Sequence, residues 1–214
     1  MANKSSDVFK SYLFEDVSYS GEFQIPILHS SRLLPNKLIP FSKALSTKDF
    51  AQWVHFYEDD KNFIRVWNQP KKYLSLLKKF YGLISPDFSV QGNMPLFMKL
   101  DSTAKGRVLG HWWQQNGIEV IPNVRFNGNS TYEFVFEGLD KNSTLAVGSL
   151  GCIKNKEERK YFVEGLCEFI KRLQPKNLIV YGAVPKKFFE PYANETNILH
   201  FPSWTTLIHQ KERV

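Results

Sequence analysis

Eight side chains in this sequence stand just beyond short apolar runs, where chemistry is usually placed: Asp87, Ser89, Asn93, Arg125, Ser149, Lys154, Tyr181 and Trp204. Residues 82–93 (GLISPDFSVQGN) read as a buried strand that stops at the Asp87 carboxylate and opens into a turn holding Ser89 and Asn93. Asp87 suits a general base or a metal ligand; the plainer role is a carboxylate accepting backbone N–H groups in its own turn. Arg125 follows an apolar run and can clamp a phosphate or carboxylate with two parallel hydrogen bonds. An internal salt bridge to Asp87 accounts for it equally well. Residues 148–154 form a small-residue turn leading into a helix, and backbone N–H groups there, with Lys154, can hold an anion. It is not a Walker loop, because the glycine spacing and the Lys-Ser/Thr pair are absent, and Asn155 as a helix cap would make the turn ordinary. Tyr181 and Trp204 would be walls. Ser149 has no adjacent histidine, which weakens it as a nucleophile.

Other groups are weaker. Glu133 and Glu137, four apart, would share a helix face, suited to glycoside hydrolysis or metal binding, although exposed carboxylates are commoner. His111 stands alone beside Trp112 and Trp113, and no His/Cys cluster accompanies it, so no metal ligand is assigned. The sequence names no cofactor. Lys71, Lys72, Lys78 and Lys79, with Lys186 and Lys187, could form a nucleic-acid footprint. Trp112, Trp113 and Trp204 could stack bases; solvated helix faces and buried aromatics are the alternative.

The polymer that must position these groups has 214 residues, 43% hydrophobic and 15% aromatic, enough for a sizeable core and against wholesale disorder. The formal charge of +7 favours anionic partners, a nucleotide or nucleic acid among them. Cys152 and Cys167 are too few for a disulfide framework or a zinc site and read as free thiols in a reducing cytoplasm. Residues 1–11 carry no apolar run of the signal-peptide kind. No stretch reaches the roughly 18 apolar residues that span a bilayer, so no membrane partner is expected.

Residues 1–36 read as an irregular N-terminal extension with one short strand near residues 23–28. Residues 37–214 read as a single domain. Residues 38–41 suit a strand. Ser46 as a cap, with Phe50, Trp53, Val54 and Tyr57 at helical spacing, predicts a helix, and residues 62–67 predict a strand. Pro70 opens a helix; residues 82 onward form the central strand; residues 95–116 predict a long helix closed by Gly117. A strand over 118–126 follows, then a short helix over 130–136, a strand over 143–150, and a helix over 155–174 with Phe162, Leu166, Phe169, Ile170 and Leu173 on one face. Strands at 177–181 and 198–201 flank a short helix at 185–192. Alternating strands and helices imply an α/β fold with a parallel sheet. It is expected to be barrel-like rather than Rossmann, because no Gly-rich dinucleotide loop follows the first strand. About 250 residues are typical of a full eightfold barrel, so an incomplete one is expected.

The motifs SPDFS (85–89), GNMPL (92–96), WWQQNG (112–117), VGSLGCIKNK (147–156) and PKNLIVYG (175–182) occur together. With them the chain, over about residues 38–209, resembles a bacterial, plasmid and phage family known as a domain of unknown function. The resemblance implies a phage or mobile-element protein and carries no activity. Residues 127–131 depart from the family, whose members look more acidic there, and this counts against a catalytic loop at that place.

Two functions follow as expectations. In the first, the strand ends bind a phosphate-bearing ligand, nucleotide or nucleic acid, with Asp87 and Arg125 at the centre and hydrolysis as an extension. In the second, a non-enzymatic module grips a host or phage protein through the aromatic-rich stretch from Phe9 to Phe23.

Overall fold

The computed structural model describes residues 7–211. The first six residues of the expected extension, where the signal-peptide reading begins, and the last three of the expected domain lie outside the described residues.

A small antiparallel pair, β1 (Tyr19–Ser20) and β2 (Ile25–Pro26), precedes the main body. Then come β3 (Leu38–Pro40), α1 (Phe41–Ala44), β4 (Trp53–His55), α2 (Asp60–Asn68), α3 (Pro70–Leu77), β5 (Gly82–Ile84), α4 (Leu96–Gln115) and β6 (Val120–Ile121). The second half contains α5 (Tyr132–Val135), β7 (Thr144–Gly148), α6 (Lys156–Leu173), β8 (Asn177–Tyr181), α7 (Lys186–Phe189), β9 (Asn197–Phe201) and α8 (Trp204–Lys211).

β3 to β6 pair in sequence order, all parallel, and β7 to β9 do the same. A parallel bridge between Asn123 and Ala146 joins the two sheets, with Ala146 N–H donating to Pro122 at 2.9 Å and Val124 N–H to Ala146 at 2.8 Å. Every strand from β3 to β9 therefore points the same way.

Side chains alternate along these strands with the period of two that a pleated strand imposes. Ile39, Val54, Leu83 and Val120 face one helical layer, packing with Phe63, Val66, Leu77, Val108 and Trp113. Leu145, Val147, Leu178 and Val180 face another, packing with Phe162, Leu166, Phe169 and Ile170. The opposite faces meet one another: Leu38, Trp53, Tyr57, Ile84, Ile121, Ala146, Ile179 and Tyr181, with Leu199 and Phe201, form one cluster fed by all seven parallel strands. Full burial of one such aliphatic or aromatic side chain is worth about 1.5–3 kcal/mol, so a pattern held over seven strands dominates the fold. Two glycines make room in that cluster. A Cβ on Gly82 would lie 2.5 Å from the Trp53 ring, and one on Gly148 would lie 2.6 Å from the Tyr57 ring.

The N-terminal segment packs on this body: Leu13 and Leu28 enter the first helical core and Ile25 the second.

Three expectations are corrected. Trp53, Val54 and the neighbouring residues form β4, not a helix, because both faces of that segment are buried and its apolar residues need not alternate. Residues 62–67 belong to α2, where Phe63 and Val66, three apart, face the core while Arg65 stays in solvent. The strand expected over 118–126 pairs regularly only at Val120–Ile121, then through the single bridge at Asn123. α8 was not anticipated.

Candidate functional site at the strand ends

Parallel strands bring their carboxyl ends to one side, and there a polar cluster forms. Asp87 lies three residues past β5; Asn123 and Arg125 lie just past β6; Tyr57 lies two past β4. Asn123 N–H donates to Ser85 Oγ at 2.8 Å, fixing the loop. Asn123 Nδ2 donates to Asp87 Oδ1 at 2.8 Å, and Tyr57 O–H donates to Asn123 Oδ1 at 2.9 Å. Arg125 Nη1 reaches Asp87 Oδ2 at a long 3.5 Å, with the Asp87 side chain 11% and the Arg125 side chain 24% exposed.

Burial raises the Asp87 pKa, and Arg125 and Asn123 pull it back only in part. Burial also opposes the charge of Arg125, but Asp87, Cys152, Glu158 and Tyr57 around it outweigh that and raise its pKa. Burial pushes the Cys152 thiol up, keeping it protonated and a poor nucleophile. A second guanidinium, Arg107 of α4, is 2% exposed and donates to the carbonyls of Asn123 at 3.0 Å and Val135 at 2.7 Å, while its Nε has no partner. Burial without a facing carboxylate lowers its pKa to about 9.

The other anticipated residues are placed as follows. Ser89 is bound to Asp60, through N–H at 3.2 Å and Oγ at 3.0 Å. Asn93 and Lys154 are exposed on their turns. Ser149 is 2% exposed and spends its hydroxyl on the Ala183 carbonyl at 2.7 Å, tying β7 to β8. Asn155 caps α6, its side chain accepting from the N–H groups of Glu157 at 2.8 Å and Glu158 at 3.2 Å, so two amides of the helix terminus that follows the expected anion cradle are already bound. Tyr181, 3% exposed, stacks on Tyr57 with centroids 5.1 Å apart and accepts the Trp204 N–H at 2.9 Å. Trp204 is half-buried in the wall of a separate cavity.

Trp112 and Trp113 are core residues, 6% and 0% exposed, and do not offer faces to bases. Glu133 and Glu137 do not pair: Glu133 approaches Arg172 at 3.7 Å, and Glu137 accepts from Ser20 at 2.7 Å. Several of the lysines lie against aromatic rings, Lys71 over Tyr12 at 3.8 Å and Lys79 over Phe50 at 5.3 Å.

Sequence reasoning missed Tyr57, Asn123 and Arg107. Tyr57 and Asn123 obey the same strand-end rule as Asp87, but the helix assigned to Tyr57 hid the first, and the overlong strand hid the second. Arg107 gave no signal, being one charge on a long helix.

No helix among the described residues is long and apolar enough to cross a membrane. Fold and cluster define a parallel α/β protein with a buried polar knot beyond its strand ends. The chain belongs to the family described as a domain of unknown function (DUF4417), which matches residues 17–202. Among its relatives, the "Gene 1 protein" of Mycobacterium phage L5 is 34% identical over 167 residues, 76% of this chain and 72% of that protein. The "Gene 1 protein" of Mycobacterium phage D29 is 30% identical over 166 residues, 76% of this chain but only 62% of its own length. No solved structure matches.

Proposed function

We propose that this is a phage-type protein whose seven parallel strands form an open barrel, with a mouth that binds a phosphate-bearing ligand against Arg125. The shared cluster fed by all seven strands supports the barrel. The observation that carries the binding reading is the state of Arg125. It lies past a strand end, partly open to solvent, with a long 3.5 Å contact to Asp87 and a side-chain contact to Cys152. A guanidinium has five N–H donors in a fixed fork, so these two contacts leave donors for a bidentate oxyanion. Arg107 adds a nearby positive charge with no carboxylate bonded to it. A nucleotide or a nucleic-acid end supplies the matching group. Hydrolysis would ask Asp87 to accept a proton from water, a task its raised pKa suits. Calorimetric titration with tripolyphosphate, nucleoside triphosphates and short single-stranded DNA tests this. Heat from at least one of them, lost in Arg125→Ala, is expected; silence from all three with the fold intact refutes it.

A second reading is a module that grips a host or phage protein. It is favoured by the exposure of Val8, 74%, and Phe9, 87%, beside the half-open rings of Phe14, Tyr19 and Phe23. Large exposed apolar residues in one segment are the usual mark of a contact surface. Pull-down from host lysate with intact protein and with Phe9→Ser decides it; a partner held equally by both removes the N-terminal version.

A further inference from the structure

β3 and β9 are the end strands of the parallel array, and between them lies a cavity of about 570 Å³. Its apolar walls come from Leu38 and Ile39 of β3, Phe201 of β9, and Trp204, Leu207 and Ile208 of α8. This volume falls within the range that holds small organic ligands.

The same walls carry three buried polar atoms without partners: Gln52 Oε1, His55 Nε2 and Trp204 Nε1. An unmet buried polar atom costs about 1–3 kcal/mol, so three around one cavity need an explanation. Their chemistry can be assigned. Gln52 has spent its amide N–H on the Asp49 carbonyl at 2.6 Å, leaving its oxygen as an acceptor. His55 Nδ1 accepts the Tyr57 N–H at 3.1 Å, which puts the proton of the neutral ring on Nε2 as a donor. Burial keeps that ring neutral, with a pKa lowered to about 3. Trp204 Nε1 can only donate. The remaining charges on the wall cancel, Lys37 being paired with Asp49 at 2.6 Å. Two N–H donors and one acceptor thus stand just behind the apolar faces of a cavity whose wall also carries Asn36, Thr47 and His200.

We propose that this cavity binds an uncharged flat heterocycle of the nucleobase kind, whose ring carbonyl or ring nitrogen accepts from His55 and Trp204 and whose ring N–H or amino group donates to Gln52. The three atoms are closed off from water, so occupancy requires α8, which carries Trp204 and overlies the cavity, to shift outward. The site is separate from the strand-end cluster. Tyr181 lines the cavity and stacks on Tyr57, but Asp87, Asn123 and Arg125 are not among the cavity's walls. It does not depend on the phosphate reading above.

The test is calorimetric titration of the full chain with adenosine, guanosine, cytidine and uridine, which carry no phosphate. At least one should bind. Trp204→Phe, which keeps a ring and loses the donor, should weaken that binding about 3- to 10-fold, the effect of one buried hydrogen bond. Ile208→Trp, which fills the cavity, should abolish it, and Arg125→Ala should leave it unchanged, with thermal melts confirming folded proteins. The proposal is overturned if no nucleoside binds the folded wild type, if both cavity variants bind as well as wild type, or if toluene binds as tightly as the best nucleoside, which would mark an apolar slot without polar recognition.

Discussion

Tyr57 and Asn123, 66 residues apart in the chain, meet through a buried 2.9 Å hydrogen bond from the phenol to the amide oxygen. Asn123 passes the contact on to Asp87, so the loop after β4 and the loops after β5 and β6 are locked into one unit. Removal of the hydroxyl in Tyr57→Phe keeps the ring stacked on Tyr181 and leaves Asn123 Oδ1 without its donor. Urea unfolding should register a loss of about 1–3 kcal/mol, the cost of an unsatisfied buried acceptor. An unchanged midpoint would mean that water replaces the phenol and that the loops are not locked through this bond.

The ring of Tyr57 also depends on a missing side chain opposite it. A methyl group at residue 148 would lie 2.6 Å from that ring, and one at residue 82 would lie 2.5 Å from the Trp53 ring. Both rings are buried in the shared cluster and have nowhere to go. Gly148→Ala and Gly82→Ala should each destabilise by about 1–3 kcal/mol, as overpacking does, read as lower melting temperatures. Wild-type melting would show that the cluster is looser than its geometry implies.

Protonation gives two effects of opposite sign. His55 has its pKa lowered by burial from 6.5 to about 3. The unfolded chain therefore binds a proton that the folded one refuses, and the stability His55 contributes is complete above pH 6.5 and falls as pH drops from there toward 3, by up to about 1.4 kcal/mol per pH unit. Asp87, whose pKa is raised by burial, acts the other way: its contribution is present at acid pH and is lost as pH rises through its folded value. Denaturant midpoints measured from pH 7 to 4 should fall less steeply in His55→Gln than in wild type, and more steeply in Asp87→Asn. Parallel curves for all three proteins would contradict both assignments.

The cap on α6 was legible in the sequence, and the structure supplies its consequence. Asn155→Ala frees the N–H groups of Glu157 and Glu158 and should cost about 0.5–2 kcal/mol. It should also leave phosphate binding unchanged, because those amides are not the proposed site. A gain in phosphate affinity would revive the helix terminus as an anion cradle, because the freed amides would then be holding the ligand.

α4, α6, β7, β8 and β9 were readable: α6 from its one apolar face, α4 from its long helical pattern, and the strands as short apolar runs closed by turn residues. The errors have physical causes. Residues 53–57 are buried on both faces, so their continuous apolar run carries no period to separate strand from helix. Phe63, Ile64, Val66 and Trp67 look strand-like by composition, but α2 buries Phe63 and Val66 three apart, and packing overrides propensity. Before α8, Ser203 accepts the Thr206 N–H at 3.3 Å, a helix cap present in the sequence but masked by the β-branched residues after it. The strand-end rule located Asp87 and Arg125 beside one another, yet Tyr57, Asn123 and Arg107 join them only through folding across distant segments. His55 and Gln52 could not have been connected to Trp204 from spacing at all.

The central claim is that Arg125 supplies the anion contact at the mouth of the strands. Calorimetric titration of wild type and Arg125→Ala with tripolyphosphate isolates that contact from any recognition of a base. Wild type should bind, and the variant, still folded, should lose at least about tenfold in affinity, as expected for a lost charge-assisted hydrogen bond. Equal affinities in the two proteins, or no binding by wild type, would contradict it.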